Sequence, residues 1–381
     1  MSLQGRDAKL RSITALALLV FVGAMAAANL LTPDRSFSES ENRVLESLPA
    51  LTLRSFLSGT FAADYEDYAT DQFALRDVWI GLKTDTDRLM GKRDSNGVYL
   101  GEDNVLIQHF EAPTNEEIAG RASAIRSFNR ATPGLRKYVM LVPTAAALHR
   151  DKLPAFAPVG DERAALNRVR EALGPGIPFV DVYSALDAER EAYLYYRTDH
   201  HWTTKGAYFA YRALCDLMGI TPKDEEAFDI RQATDTFYGS LHSKSGFRHL
   251  PPDRIDLYVP REESFIQVKY VDEGLTADTL YALDQLSKKD KYAVFLNGNH
   301  ALLRIATAVP GGKKLLVVKD SYANSLIPFL TEHFAEIDVV DLRYYGESLT
   351  SLVQERHYDD MLILYNTNTF FADPSIMNLT E

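Results

Sequence analysis

From residue 115 onward the chain alternates between helical spacing and short apolar runs. Helical periodicity covers 115–131, opened by Thr114 and Glu117 at the spacing of a capping box. An apolar run at 138–142 stops at Pro143. A helix follows at 162–173, a strand at 179–182 and a helix at 204–218. The last third repeats the pattern, with strands at 315–318, 337–342 and 361–365 and helices at 325–335 and 348–356. Strands that alternate with helices of this length predict an α/β fold with a parallel sheet flanked by helices. Residues 96–107 predict a hairpin around Gly101-Glu102-Asp103-Asn104. Residues 221–293 fit less well. They read as an irregular insertion, with strand-like runs at 237–241 and 254–259.

The N-terminal third is different. Arg6, Lys9 and Arg11 precede an uncharged run at 12–31, about the 20 residues that cross a hydrocarbon core. The basic flank predicts a cytoplasmic N-terminus over 1–11, a transmembrane signal anchor over 12–31 and everything later outside the membrane. Ala24-Met25-Ala26 offers a cleavage site for the competing reading, a removed signal peptide. The apolar run continues past it to Leu30 and Leu31, which favours the anchor. A polar linker is expected over 32–55 and an extracytoplasmic domain over 56–381, on a single-pass membrane protein. Within it, 56–88 reads as two helices broken near Gln72.

A net charge of −12 argues against nucleic acid or an anionic membrane surface as the main partner. The single cysteine, Cys215, excludes an intrachain disulfide. It lies on a helical pattern with Ala207, Ala210, Tyr211 and Leu214, and reads as a small buried hydrophobe.

The chemistry concentrates in two places. Asp199-His200-His201-Trp202 packs an acid, two imidazoles and an indole into consecutive positions. Such a cluster is poor core material, because unpaired buried charge is costly. The other place is 315–325, where an apolar strand runs into Lys319-Asp320-Ser321-Tyr322. Ligands of open α/β sheets bind outside the carboxyl ends of strands. Ser321 lies at such an end, with its own N–H placed to face a developing oxyanion. Asp320 or Ser321 would also serve as a plain helix cap. A serine nucleophile needs a base, and the base needs a carboxylate to fix its tautomer. Asp199 and His201 are two residues apart, so in an extended turn both face one cleft while His200 points away. Trp202 should pack beneath the turn, and Thr203 or Thr204 should cap the next helix.

The opposing reading is a metal site. Asp199, His200 and His201 could be joined by His149, His242, His249 or His300, but neighbouring side chains diverge and no His-x-x-x-His pair or cysteine cluster supports it. No metal is therefore expected. Asn297-Gly298-Asn299-His300 and Gly239 are candidates for further oxyanion or substrate contacts. Turn chemistry explains the same residues.

Asp199, His201, Trp202 and Gly206, followed by Asp320, Ser321 and Tyr322, resemble the signature of DHHW proteins. These are related to alginate O-acetyltransferases of the AlgJ/AlgX type. Glu41-Asn42-Arg43, the 71–76 stretch and Gly97-Val98-Tyr99-Leu100 are similar to that family as well. The resemblance implies an SGNH-hydrolase-like fold with permuted catalytic blocks. It also implies acetyl transfer from Ser321 to an exopolysaccharide or cell-wall polysaccharide, with Tyr322 beside the substrate and Trp202 and His200 in support. The acetyl group would come from a membrane-bound O-acyltransferase partner or an acetylated compound, with no cofactor. No second sugar-binding β-domain is evident after the α/β part. Two other functions use the same residues: a polysaccharide O-acetylesterase with the same triad, and a catalytically silent scaffold of polysaccharide assembly.

Overall fold

The computed structural model describes residues 3–38, 43–262 and 264–380. Glu41 and Asn42 lie outside the described residues. The chain divides between Lys92 and Arg93 into two compact units.

The first unit opens with helix α1 (Leu3–Leu31). Its segment Arg11–Leu31 is long and apolar enough to cross a membrane, with a mean hydropathy of 2.2 and none of it buried. Strands β1 (Phe37–Ser38) and β2 (Arg43–Val44) form a short antiparallel pair. Helices α2 (Leu53–Ser58), α3 (Thr60–Asp71) and α4 (Arg76–Leu89) follow. The break falls at Gln72, as the periodicity predicts. Its side-chain amide exchanges hydrogen bonds with the Arg35 backbone, at 2.9 Å each, and donates to Glu46 O at 2.8 Å. The break is thus used to pin the preceding extended segment.

The second unit begins with a three-stranded antiparallel sheet: β3 (Asp94–Ser95), β4 (Val98–Leu100) and β5 (Leu106–Gln108). Helix α5 (Asn115–Ala131) carries the predicted capping box, with Thr114 and Glu117 each bonded to the other's backbone N–H. Strand β6 (Arg136–Val142), α6 (Ala145–Leu148), α7 (Glu162–Leu173) and α8 (Val182–Asp187) come next. The strand expected at 179–182 is reduced to a single parallel bridge, Val139 to Phe179. Asp181 ends it by accepting from Ser184 N at 3.1 Å, which starts α8.

Helix α9 (Thr204–Met218) precedes the insertion. There β7 (Phe228–Phe237) and β8 (Asp253–Pro260) pair with each other around α10 (Ser240–Ser245). Strands β9 (Ile266–Tyr270) and β10 (Leu275–Ala277), with β11 (Leu302–Thr307), lead back to the main sheet. The chain closes with β12 (Lys313–Lys319), α11 (Ile327–Leu330), β13 (Phe334–Val340), α12 (Leu349–Arg356), β14 (Asp360–Asn366) and α13 (Thr367–Ala372).

The main sheet has the order β10-β9-β11-β13-β12-β14-β6. Strands β13, β12, β14 and β6 are parallel, and β11, β9 and β10 extend them antiparallel. The expected parallel sheet is therefore its core. The insertion supplies the edge strands β9 and β10. Alternate residues of β12 feed two cores: Leu315 and Val317 join Tyr211, Leu214 and Phe329 on one face, while Leu316 and Val318 join Ile125, Phe128 and Val169 on the other. A strand buried on both faces reads as a continuous apolar run. After β12 the chain moves to β13 on one side, then crosses to β14 on the other. The carboxyl end of β12 is thus a topological switch point, where α/β sheets open a crevice.

The helix expected at 325–335 is shorter. A 3₁₀ turn covers Ser321–Ser325, α11 spans four residues around Pro328, and Phe334 already belongs to β13. The apolar residues Tyr292 to Leu296 form no strand: Lys291–Val294 is a 3₁₀ turn. Leu296 and Asn297 then take left-handed φ values of 58° and 59°, which no strand accommodates.

Candidate active site

Strand β12 delivers Lys319, then Asp320 and Ser321 at the switch point. Asp320 caps the 3₁₀ turn: its carboxylate accepts from Tyr322 N at 3.0 Å and from Asn366 N at 2.8 Å. The capping role falls to Asp320, which leaves the Ser321 hydroxyl free of it. Ser321 is partly exposed, whereas the four residues after it are buried.

The second half of the site is the extended stretch before α9. Tyr195 bridges to Trp202, closing the turn that holds Asp199, His200 and His201. Asp253 anchors this turn by accepting from Arg197 N, Thr198 N (both 2.8 Å) and Thr198 Oγ1 (2.5 Å). Thr203 caps α9 by accepting from Gly206 N at 3.2 Å. A Cβ at Gly206 would lie 2.5 Å from Leu194 O, so the helix can approach this closely only with glycine there.

The two halves meet in a hydrogen-bonded row. Ser321 Oγ lies 2.7 Å from His201 Nε2, and His201 Nδ1 lies 2.5 Å from Asp199 Oδ1. Asp199 Oδ1 also accepts from His201 N at 2.9 Å, and Oδ2 accepts from Ser240 N at 2.7 Å. Burial alone would raise the Asp199 pKa. His201 and His200 beside it, with the Ser240 N–H, reverse this and hold it well below the usual carboxylate range. The imidazole of His201 is clamped from one side by Tyr292, stacked at 3.7 Å and 10°. The Tyr292 hydroxyl donates to Ser321 O at 3.2 Å and Ser325 Oγ at 3.1 Å, so one residue holds the His201 ring and the Ser321 turn together.

His200 does not point away as an extended turn would have it: its ring lies 3.8 Å from that of His201 and its Nδ1 3.8 Å from Asp199 Oδ1, because the turn curls enough to bring Nδ1 to Ser240 Oγ at 2.5 Å. Burial, then the neighbouring His201, push its pKa down to about 4, so it is neutral at pH 7. Trp202 is fully buried beneath the turn and donates to Tyr322 O at 2.9 Å and Ser325 Oγ at 3.0 Å. Tyr322 is buried as well, and its hydroxyl donates to His200 O. It acts as a strut between the two halves rather than as a surface facing a substrate.

The remaining candidates separate. Gly239 stands on the Asp199 side, where a Cβ would fall 2.2 Å from Asp199 Cβ, and its N–H is already donated to Thr198 Oγ1 at 3.1 Å. Its task is to let α10 approach the carboxylate, not to bind an oxyanion. Gly298 N donates to Phe295 O, and Gly298 O accepts from Asn324 Nδ2 at 3.1 Å. Asn297 Oδ1 accepts from Gln285 at 2.5 Å. The 297–299 segment therefore adjoins the Ser321 turn, but the Gly298 amide is taken. Beneath it, Asn299 Oδ1 accepts from Lys319 Nζ at 2.6 Å and Asn324 Nδ2 at 3.2 Å. Burial pushes the Lys319 pKa down to about 8, countered by Asp341 at 3.5 Å.

Asp199, His200 and His201 do bring ligand atoms within 4.8 Å of one another. Both His201 nitrogens are committed to Asp199 and Ser321, and His200 Nδ1 to Ser240, so an ion there would have to break the row. His149 stacks edge-on against Tyr195, and His300 pairs with Glu273 at 2.8 Å. Neither is part of this cluster.

The pattern of the DHHW protein family matches residues 129–340, which takes in both halves of the row. The chain belongs to the DHHW family. Its four signature residues are Asp199, His200, His201 and Trp202: the buried acid, the neutral neighbour, the imidazole on Ser321, and the indole floor. The fold is similar to that of a DHHW family protein from Eubacterium siraeum DSM 15702. The two are 24% identical over 76% of this chain and 97% of that one, with a TM-score of 0.66. It is also similar to Bacillus cereus PatB1 carrying a sulfonyl adduct, at 18% identity over 74% of this chain and 98% of that one, with a TM-score of 0.64. A looser likeness, with a TM-score of 0.46, is to the O-acetyltransferase domain of Pseudomonas putida AlgJ, at 16% identity over 74% and 97% of the two chains. No curated protein sequence matches.

Sequence reasoning missed Tyr292, Ser240 and Asp253. Each acts through a long-range contact from the insertion, and no local pattern in that segment marks them.

Proposed function

We propose that this DHHW protein is an extracytoplasmic O-acetyltransferase that modifies an exopolysaccharide or cell-wall polysaccharide through an acetyl-Ser321 intermediate. The observation that carries the proposal is the Ser321–His201–Asp199 row, with spacings of 2.7 and 2.5 Å. In the first half-reaction Ser321 Oγ attacks the acetyl carbonyl, and its proton passes to His201 Nε2. The oxyanion is met by the Ser321 N–H, which has no partner among the described residues. Collapse expels the donor's oxygen, which takes the proton from His201. In the second half-reaction a sugar hydroxyl attacks acetyl-Ser321, giving its proton to His201. The serine oxygen leaves and recovers that proton. Asp199 stays ionised throughout and stabilises the imidazolium.

No bound cofactor enters this cycle. The acetyl group arrives from a membrane-bound O-acyltransferase partner or from an acetylated compound. The apolar helix Arg11–Leu31 serves as the anchor that keeps the catalytic unit beside that partner.

The test is Ser321→Ala in the full-length chain. Turnover of an acetylated chromogenic ester and acetylation of the polymer should both disappear, and mass spectrometry of the parent protein should find acetyl on Ser321. A sulfonyl fluoride should mark the same residue, in keeping with the adduct seen in PatB1. Persistence of both activities in the alanine variant would sink the proposal.

A further inference from the structure

A second concavity opens at the same edge of the sheet. It has a volume of about 490 Å³, within the range of about 300–1,000 Å³ typical of small-molecule sites. Its walls come from the segment after β9 (Asp272, Glu273), the segment before β11 (Asn299, His300) and the segment after β13 (Tyr344, Tyr345, Glu347). The ends of β9 and β13 and the start of β11 lie on the side of the sheet where β12 presents Ser321, because β11 runs antiparallel to β13. The order β12-β13-β11-β9 and a strand spacing of about 4.8 Å put the cavity roughly 5 to 15 Å along the edge from Ser321. Asn299 joins the two, since its Oδ1 accepts from Lys319 and Asn324, which flank Ser321 in the chain.

The lining has a definite chemistry. Tyr344 is 58% exposed, a large aromatic ring held at the rim. Tyr345 is half-buried; burial and then the Glu347 carboxylate raise its pKa to about 12, so its hydroxyl stays a donor. Asp272, Glu273 and Glu347 supply three carboxylates, and neither lysine nor arginine lines the cavity among the described residues. Arg343 lies over the Tyr344 ring at 5.5 Å, but its charge is consumed by a forked ion pair with Asp341 at 2.6 and 2.9 Å. His300 is turned to Glu273 at 2.8 Å.

We propose that this cavity is a subsite for the acceptor polymer a few sugar residues from the one acetylated, and that it selects uncharged or amine-bearing sugars over uronate or phosphate-bearing ones. The proposal rests on the function above for the reaction, but its recognition chemistry stands on the cavity itself. A ring at the rim stacks on the apolar face of a pyranose. Carboxylates and the Asn299 amide N–H groups meet its hydroxyls, and an ammonium group would gain a further ion pair; His300 is already bonded through both ring nitrogens, to Glu273 and Asn297 O. An anionic sugar would meet three carboxylates with only His300, on Glu273, paired to any of them in the lining, and like-charge juxtaposition excludes partners more strongly than attraction selects them.

The experiment is direct binding to the full-length chain in detergent, carrying Ser321→Ala so that nothing turns over. The probes are β-1,4-linked N-acetylglucosamine oligomers, their deacetylated forms, and oligogalacturonate of equal length, each at low salt. The first two should bind, and oligogalacturonate should bind at least about ten-fold more weakly. Tyr344→Ala, with its melting temperature unchanged, should weaken binding of the first two about ten-fold, the worth of one buried, stacked ring. Glu273→Gln with Glu347→Gln should narrow the gap to oligogalacturonate. Equal binding of the uronate, or no loss with Tyr344→Ala, overturns the subsite. Either result leaves the Ser321 chemistry intact, because that is read separately from acetyl-Ser321 formation with a small ester.

Discussion

At the scale of single residues, Asp199 decides whether the row works. It accepts three hydrogen bonds and donates none, so an ionised carboxylate fits there and an amide does not. Asp199→Asn would turn an N–H or a weaker acceptor toward His201 Nδ1 and favour the wrong tautomer of the base. In serine triads this change lowers kcat by roughly 10⁴-fold. The same order of loss is expected here on a chromogenic acetyl ester, with KM little changed and the fold intact by circular dichroism. A variant retaining more than a tenth of the parent kcat would mean that Asp199 only shapes the turn. The legibility of the site follows from the same logic. Asp199, His201 and Ser321 could be paired across 120 positions because a nucleophile requires a base and the base requires an acid, and their geometry then meets at hydrogen-bond distance. Tyr292 could not be read this way. Its role is a stack at 3.7 Å, and no local pattern encodes which ring will face it.

At the scale of elements, the fit between α10 and the Asp199 turn is set by Gly239. Its φ of −86° suits any residue, so the constraint is space rather than backbone conformation. A Cβ would sit 2.2 Å from Asp199 Cβ and 2.3 Å from Oδ2, inside a buried carboxylate that cannot swing away without leaving His201. Gly239→Ala must therefore lift the start of α10, taking the Ser240 N–H off Asp199. Overpacking of this kind costs about 1–3 kcal/mol. A lower melting temperature and at least a ten-fold loss of ester turnover are expected together. Normal turnover with an unchanged melt would show that the turn has slack. The sheet itself was readable where strands are buried on both faces, as for β12 and β14. It was not readable where turn chemistry overrides apolar content. Asp181 starts a helix at Val182, Pro328 lies in a helix of only four residues, and left-handed residues follow the 291–294 turn. The insertion was legible as a departure from alternation, but its gift of two edge strands to the main sheet depends on pairings far apart in sequence.

At the scale of the whole molecule, acid stability depends on how many buried groups reject a proton. His242 and His333 lie outside the Ser321–His201–Asp199 row, and burial followed by a neighbouring lysine pushes each pKa down to about 4. An unfolded histidine titrates near 6.5. Between pH 6.5 and 4 the unfolded chain therefore binds protons at these two positions that the folded chain refuses. Folding stability falls as pH drops through that window and levels off below about 4. The slope is at most about 1.4 kcal/mol per pH unit for each histidine, less where solvent reaches the ring. Carboxyls whose pKa burial raises, such as Glu162, Asp320 and Asp253, act in the opposite sense, so the slope of the parent protein alone is not diagnostic. The difference between proteins is. His242→Gln combined with His333→Gln removes only the histidine part, while glutamine can still accept the Tyr211 hydroxyl that lies 2.6 Å from His333 Nε2. Urea melts at pH 7.5, 6.0 and 5.0 should show the parent losing more stability than the double variant at each step down. Parallel losses would mean that the two imidazoles take up protons in the folded state, and the buried, neutral assignment would then be wrong.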